Sequence, residues 1–409
     1  MYAFRKPFTA AQYEGYKLGD IGLKTALVIS QIVGYMLSKY IGIKVCSEVP
    51  ARRRAWMLVL FILWAEAALV LFAVVPPPLK IAAIFLNGLP LGMIWGLVVW
   101  YLEGRRSSEI LLAGLSASFI VSSGIVKDAG RFLMANFGVS EWWMPAVTGL
   151  CFLPPFLASV WLLNQTPGPK EEDVRERVER EPMYAADRVS FVKRFLPGLI
   201  LLFLAYFFLT AYRDFRDNYG VEIIRGLGYE SDPAFFTKTE SLVSVGVLVT
   251  LALLNLVKDN RKGLLGAFAI MTAGTALIGV STLLFDAGKI DGFWWMTLVG
   301  LGSYLAYVPY GSVLFDRLIA SARFAGTAVF AIYVADAIGY TGSVGIQLYK
   351  DFGRKDVSRL GFFQGFTYFL SALGVVLLIL SCIYFLRVSR TRSSVGPVPD
   401  AASSWKNAR

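Results

Sequence analysis

Residues 89–114 read LPLGMIWGLVVWYLEGRRSSEILLAG, and residues 304–326 read YLAYVPYGSVLFDRLIASARFAG. Each stretch is an apolar run with internal Gly and Pro that ends in an acidic and then a basic residue. Each then continues into small residues that include an Ala-Gly pair. Any two helical hairpins share some of these features, but the recurrence halfway along the chain predicts two similar halves.

The repeat lies among apolar stretches that are long enough to cross a membrane, which takes about 20 residues in a helix. Ten stretches meet this requirement, and an eleventh is broken only by Asp336 and a run of Gly and Thr. We therefore predict an all-α integral membrane protein with about 11 complete spans. The stretches lie near 21–43, 55–77, 79–101, 108–133, 143–164, 195–212, 235–257, 263–285, 293–315, 324–348 and 360–386.

The composition agrees with a membrane location. Hydrophobic residues make up 56% of the 409 residues and charged residues 17%, whereas soluble domains have about 45–50% and about 25%. The net charge of +11 comes mostly from short turns, which predicts no nucleic-acid partner. The chain has no His, the commonest metal ligand, and its three Cys residues lack metal-site spacing. We predict neither a metal nor a cofactor.

The distribution of basic residues predicts the orientation. Lys and Arg concentrate in alternate turns, at 44–54, 105–106, 165–194, 258–262 and 317–323, and in the tail 389–409. By the positive-inside rule these segments are cytoplasmic. We expect a multi-pass protein of the cell inner membrane whose C-terminus is cytoplasmic, and which contacts only lipid and its own ligand as a monomer.

One long polar segment, 165–194, divides the spans. Its mixed charges indicate a cytoplasmic linker with partial helix, and a regulatory docking site is the alternative. We predict an N-terminal bundle at 1–164, a C-terminal bundle at 195–388 and a tail at 389–409. The first half shows one complete span fewer than the second, so we expect a first helix shortened near Met1. No secretory signal is predicted, because no apolar region opens the chain.

Charged residues within spans are costly and usually face a cavity or each other. Arg5 and Lys6, in YAFRKPF, could bind an anion in a central cavity or extend to the lipid headgroups. Lys127, near Arg131, could add an anion contact or form an interhelical salt bridge. Glu66 lies alone in mid-span and could couple transport to protons or form a structural hydrogen bond. Asp336 has the same two interpretations.

The first span of the second half ends in residues 210–220, TAYRDFRDNYG, at the position related by the repeat to the first pair of cations. Arg213 or Arg216 could bind phosphate or carboxylate with two parallel hydrogen bonds. Asp214 and Asp217 offer local ion-pair partners instead, and an anion site requires one unpaired Arg.

An enzyme is not predicted. No His-containing triad or dyad is available, and no phosphate-binding loop of the GxxxxGKS type is present.

At YAFRKPF the chain resembles the organophosphate:phosphate antiporters of the major facilitator superfamily. Those proteins carry R-K-x-F late in the first helix, which maps onto Arg5, Lys6 and Phe8. They also carry an Arg late in the seventh helix, shortly before an acidic residue. This maps onto Arg213 and Asp217 with the spacing shifted by about one position, so Arg216 is an alternative. The family uses the two arginines to hold a substrate phosphate.

The strings MYAFRKPFTAAQY and QIVGYMLSKYIGIKV resemble more closely an uncharacterised bacterial family of facilitator-like membrane proteins, which has no established substrate. The chain departs from the antiporters in its lack of His, its shortened first helix and its acid-rich RDFRD. The resemblance implies two pseudo-symmetric six-helix bundles around a cavity. It also implies secondary active transport of a small phosphorylated or carboxylated metabolite, with antiport expected. A transport-inactive sensor or assembly protein is the alternative.

Overall fold

The computed structural model shows an almost entirely helical chain. Its only strands among the described residues are β1 (Lys17–Leu18) and β2 (Ile21–Gly22), which pair antiparallel. The structure describes residues 1–18, 21–102, 108–167, 185–322 and 328–391.

Several predicted features lie outside the described residues. They are Glu103 and the 105–106 turn, most of the 165–194 linker, the second Ala-Gly pair at 325–326 and the tail beyond 391.

Thirteen α-helices are present in the described chain, and eleven of them remain when the short α7 and α11 are set aside. Two 3-10 helices precede them, at Tyr2–Phe4 and Pro7–Ala10, and a π-helical turn at Tyr349–Gly353 follows α12. The α-helices are α1 (Leu23–Glu48), α2 (Ala51–Val74), α3 (Pro77–Leu102), α4 (Ser108–Phe137), α5 (Met144–Asn164), α6 (Ala185–Asn218), α7 (Gly220–Gly226), α8 (Phe235–Asn255), α9 (Asn260–Asp286), α10 (Gly292–Ser312), α11 (Leu314–Ala322), α12 (Ala328–Leu348) and α13 (Arg359–Thr391).

The long helices confirm the predicted membrane protein. Among the described residues, eight are long and apolar enough to span a membrane, or nine if α10 and α11 count as one span with a 50° bend. This apolarity test leaves out α1 and α12, which we predicted as spans. Both carry a charge that faces the other helix rather than lipid, because Lys39 on α1 pairs with Asp336 on α12.

The helix ends differ from the predicted ones mainly at α6. This helix begins at Ala185, ten residues before the predicted start at 195, so the end of the polar segment is helical. The predicted span 293–315 is interrupted at Val313, where α10 ends and α11 begins.

Buried apolar side chains form two main clusters. One is built from residues 3–160 with Tyr340, and the other from residues 191–385. The two bundles meet chiefly where α4 packs on α8 and α1 packs on α12. Across the first contact, Ser244 Oγ donates to the carbonyl of Ala117 at 2.9 Å.

Small residues allow the closest helix contacts inside each bundle. A Cβ added to Gly88 on α3 would lie 2.5 Å from the carbonyl oxygen of Gln31 on α1. In the second bundle, a Cβ on Gly274 of α9 would lie 2.7 Å from the carbonyl oxygen of Gly302 on α10. These glycines bring backbones together, so a larger residue would separate the helices.

We expect Gly88→Val to lower the melting temperature of the purified protein in detergent. The new side chain would overlap the α1 backbone, at a cost of about 1–3 kcal/mol. The matched control is Gly365→Val on α13, where a Cβ would meet no atom within 4 Å. Equal melting temperatures for the two variants would contradict the close α1–α3 contact.

Candidate functional site

A cavity of about 580 Å³ lies between the two bundles. The first 3-10 helix and α1 to α5 line it from one side, and α6, α10 and α12 from the other. Four charged side chains reach it, those of Arg5, Lys39, Arg213 and Asp336. Lys39 on α1, like Trp95 on α3, lies in the half of its helix that leads into a basic turn. The cavity therefore occupies the half of the protein nearer the basic turns.

Arg5 and Lys6 lie in the turn between the two short 3-10 helices rather than at the end of a long helix. Two amide side chains hold this segment inside the first bundle. Asn87 Nδ2 donates to the carbonyl of Phe4, and Gln31 Nε2 donates to the carbonyl of Arg5, both at 2.9 Å. Gln31 also donates to Asn87 Oδ1 at 2.8 Å.

The sequence analysis missed this amide pair. The available signal was the occurrence of two amides within apolar spans, since a polar side chain there requires a hydrogen-bond partner.

Arg5 is buried, with 4% of its surface exposed. Its guanidinium carbon lies 4.0 Å from the centre of the Tyr35 ring. Within the part of the chain that the structure describes, no carboxylate pairs with Arg5, and its Nε has no hydrogen-bond partner. This burial does not fit extension to the headgroups, the alternative raised for this residue.

Arg213 reaches the same cavity from α6. Its guanidinium carbon lies 3.9 Å from the centre of the Tyr307 ring, so both cavity arginines stack on tyrosines. Unlike Arg5, Arg213 has a carboxylate partner, because Nη2 donates to Asp214 Oδ1 at 2.8 Å. The local pairing considered for this Arg is therefore present.

Arg216 lies outside the cavity lining, within the second bundle. Its Nη1 donates to Glu240 Oε1 at 2.7 Å, and its Nη2 donates to the carbonyl of Met296 at 2.9 Å. Both partners are on neighbouring helices, so Arg216 connects α6 to α8 and α10.

Lys6 and Lys127 also lie outside the lining, and both bind Asp217. Lys6 Nζ lies 2.5 Å from Asp217 Oδ2 and donates to Asn218 Oδ1 at 2.8 Å. Lys127 Nζ donates to Asp217 Oδ1, which also accepts a 2.6 Å hydrogen bond from Ser123. One carboxylate of the second bundle thus binds two cations of the first, and Lys127 forms the interhelical salt bridge considered for it.

Further polar contacts join the bundles at the same ends of α1, α4 and α6, away from the basic turns. They include Lys24 with Glu222 at 2.7 Å, Glu14 with Arg225 at 2.6 Å, Arg131 with the carbonyl of Asp232 at 3.0 Å, and Asp128 with the amide of Thr237 at 2.6 Å. Together with the Asp217 ion pairs, these contacts close one side of the cavity.

The two lone carboxylates occupy different places. Asp336 lines the cavity, where it accepts a 2.7 Å hydrogen bond from Tyr206 and lies 3.4 Å from Lys39 Nζ. Glu66 does not line it. It is buried where α2 faces Gly149 of α5, and neither of its oxygens has a hydrogen-bond partner in the described structure.

The sequence analysis also missed Lys39, which lies within an apolar stretch as Glu66, Lys127 and Asp336 do. Its ammonium nitrogen is 5.5 Å from the Tyr35 ring, 5.2 Å from Trp95 and 5.8 Å from Tyr333. Three rings and one carboxylate therefore surround this cation at the cavity wall.

We expect Asp217→Asn to destabilise the protein, because Lys6 and Lys127 lose the one carboxylate that both of them bind. Removal of one partner from a buried ion pair costs about 3–5 kcal/mol. The control is Glu230→Gln, which weakens an exposed pair with Arg225. Thermal unfolding in detergent measures both variants. A similar small loss in each would show that Asp217 does not hold the bundles together.

A family model described as a family of unknown function, DUF5690, matches residues 7–388. No curated protein matches the sequence.

The fold is similar to that of solved transporters. A D-xylose-proton symporter matches with a TM-score of 0.58 at 14% identity, over 93% of this chain and 94% of that one. A POT family transporter in complex with a thioalcohol-conjugated peptide matches with a TM-score of 0.58 at 11% identity, over 95% of this chain and 93% of that one. A mutant of a peptide transporter POT in complex with sulfate matches with a TM-score of 0.59 at 15% identity, over 95% of this chain and 92% of that one. At such low identity the structural similarity establishes the fold alone. It confirms the predicted major facilitator fold.

Proposed function

We propose that this chain, which belongs to the DUF5690 family of unknown function, is a secondary active transporter of a small anionic metabolite. The fold is that of secondary transporters of the major facilitator type. The observation that supports an anionic substrate is the environment of Arg5. This residue is a buried cation at the central cavity with no carboxylate partner in the described structure.

The geometry of Arg5 suits an anionic ligand. A guanidinium that stacks on a ring uses its face, so the N–H groups along its edge stay available for a carboxylate or a phosphate. A buried charge without a partner is unfavourable, and a bound anion supplies that partner. Arg213 contributes a second guanidinium from the opposite bundle.

The contacts between the bundles support alternating access. The Asp217 side is closed, and the cavity lies toward the basic turns, which we propose are cytoplasmic in the inner membrane. Rocking of the bundles would separate Asp217 from Lys6 and Lys127. Because Lys6 follows Arg5 in the chain, an anion at Arg5 would offset part of the charge that this separation exposes. If the bundles rocked back with no anion in the cavity, the charge of Arg5 would have no partner during that step. Exchange of one anion for another avoids this, which favours antiport.

Three finer proposals belong to this function. The phosphorylated or carboxylated nature of the substrate follows from the guanidinium chemistry and from the resemblance described above. Asp336, at the cavity, is better placed than Glu66 to couple substrate movement to a proton. We propose that the protein acts as a monomer.

The transport-inactive sensor is a second candidate, and one observation favours it. Arg213 pairs with Asp214, as that alternative expects. Arg5 has no such partner in the described structure, and Asp217 pairs with lysines rather than with an arginine.

We expect Arg5→Gln to abolish stabilisation by anions. A ligand at about 100 times its dissociation constant adds about 2.7 kcal/mol, which thermal unfolding of the purified protein detects. The probes are sugar phosphates, inorganic phosphate, carboxylates and neutral sugars. Lys238→Gln, at a residue with 55% of its side chain exposed whose ion pair with Asp232 lies within the second bundle, is the control and keeps the effect. Anion stabilisation that survives Arg5→Gln would reject the site.

We also expect counterflow in proteoliposomes. Vesicles loaded with a stabilising anion should accumulate the labelled anion from outside, and Arg5→Gln should remove this uptake. Binding without flux in the unmodified protein would favour the sensor.

A further inference from the structure

The walls of the cavity are mostly apolar, although its charged groups are cations and one carboxylate. Both bundles contribute aromatic or branched side chains to the lining. They include Phe4, Trp95, Phe119, Phe152, Phe156 and Ile332. A compact, strongly hydrated anion would leave these surfaces in contact with water, whereas an apolar body attached to the anion would cover them.

The size of the cavity points the same way. Its volume of about 580 Å³ is within the range of about 300–1,000 Å³ that is usual for pockets that enclose whole organic ligands. Inorganic phosphate or acetate would fill a small part of it.

Among the charged side chains that line the cavity in the described structure, one cation is left unpaired. Arg213 is neutralised by Asp214, and Lys39 by Asp336. Only Arg5 then has no partner among the described residues. One negative charge on the ligand would complete this arrangement, and a second negative charge would lack a partner.

The Lys39–Asp336 pair is placed to set this limit. It joins α1 to α12 across the two bundles, and both residues line the cavity. Asp336 also accepts a hydrogen bond from Tyr206, so its carboxylate is held toward Lys39. If Asp336 lost its charge, Lys39 would become a second free cation in the same cavity.

We propose that the ligand is an amphipathic monoanion, with one carboxylate-type group on Arg5 and an apolar, ring-sized body on the aromatic walls. The Lys39–Asp336 pair determines the preference for one charge over two. The inference rests on the proposed function, since it takes the anion site at Arg5 as its starting point.

The test measures the affinity of the full-length protein in nanodiscs for four probes. They are 3-phenylpropanoate, its neutral analogue 3-phenylpropanol, acetate and the dianion phenyl phosphate at pH 8. We expect 3-phenylpropanoate to bind at least about tenfold more tightly than each of the others, the step that corresponds to about 1.4 kcal/mol. Arg5→Gln should remove this binding.

Asp336→Asn should reverse the charge preference. With Lys39 freed, the affinity ratio of phenyl phosphate to 3-phenylpropanoate should rise at least about tenfold. Asp286→Asn is the matched control, because that carboxylate is exposed at the end of α9 and bonds only Gln364 and Tyr368 among the described residues. The double variant Lys39→Gln with Asp336→Asn restores one net charge and should restore the original preference, which also checks that the single variant is folded.

The outcomes separate this inference from the proposed function. Arg5-dependent binding of inorganic phosphate or sugar phosphates, without binding of 3-phenylpropanoate, would overturn the inference and leave the anion transporter standing. Equal binding of 3-phenylpropanol would also overturn the inference alone, whereas no Arg5-dependent binding of any anion would overturn both. An unchanged ratio in the folded Asp336→Asn variant would reject the role of the Lys39–Asp336 pair.

Discussion

The structure depends on one constraint, which is that an ionised side chain inside a membrane protein needs an opposite charge or a hydrogen-bonded partner. Asp217 satisfies it for two cations at once, since Lys6 and Lys127 of the first bundle both bind this carboxylate of the second. The same constraint joins Arg216 to Glu240. The Asp217 ion pairs hold the bundles together on one side, and the Lys39–Asp336 pair joins them again at the cavity on the other.

At the cavity, Arg5 is a buried cation without a carboxylate partner in the described structure. Neighbouring side chains fix its position in other ways. Gln31 and Asn87 hold the backbone of the first residues by hydrogen bonds, so the guanidinium position is set without a carboxylate. The Tyr35 ring supplies a weaker attraction through its face. A site that lacks a permanent counter-charge is available to an exchangeable one, which is why the proposed anion site is placed at this residue.

The fold followed closely from local features of the sequence. The predicted apolar stretches correspond to the eleven long helices of the described chain, and the repeat at 89–114 and 304–326 indicated two halves. The errors in helix bounds have physical causes. The start of α6 is too polar to be recognised as part of a span, although it is helical. The bend between α10 and α11 comes at Val313, inside a stretch that is apolar on both sides, so apolar length does not mark it.

The sequence by itself determined that the chain is a helical membrane protein with two halves, and it marked the charged residues that required an explanation. These properties depend on residues close together in the chain, through apolar length and helical spacing. The tertiary structure alone decided which charge pairs with which, because the partners are far apart in sequence; Lys127 and Asp217 are 90 positions apart. It therefore separated Arg5 and Arg213, which line the cavity, from Lys6, Lys127 and Arg216, which neutralise carboxylates elsewhere. It also revealed Lys39, since only the packing of α1 against α12 brings that ammonium to Asp336.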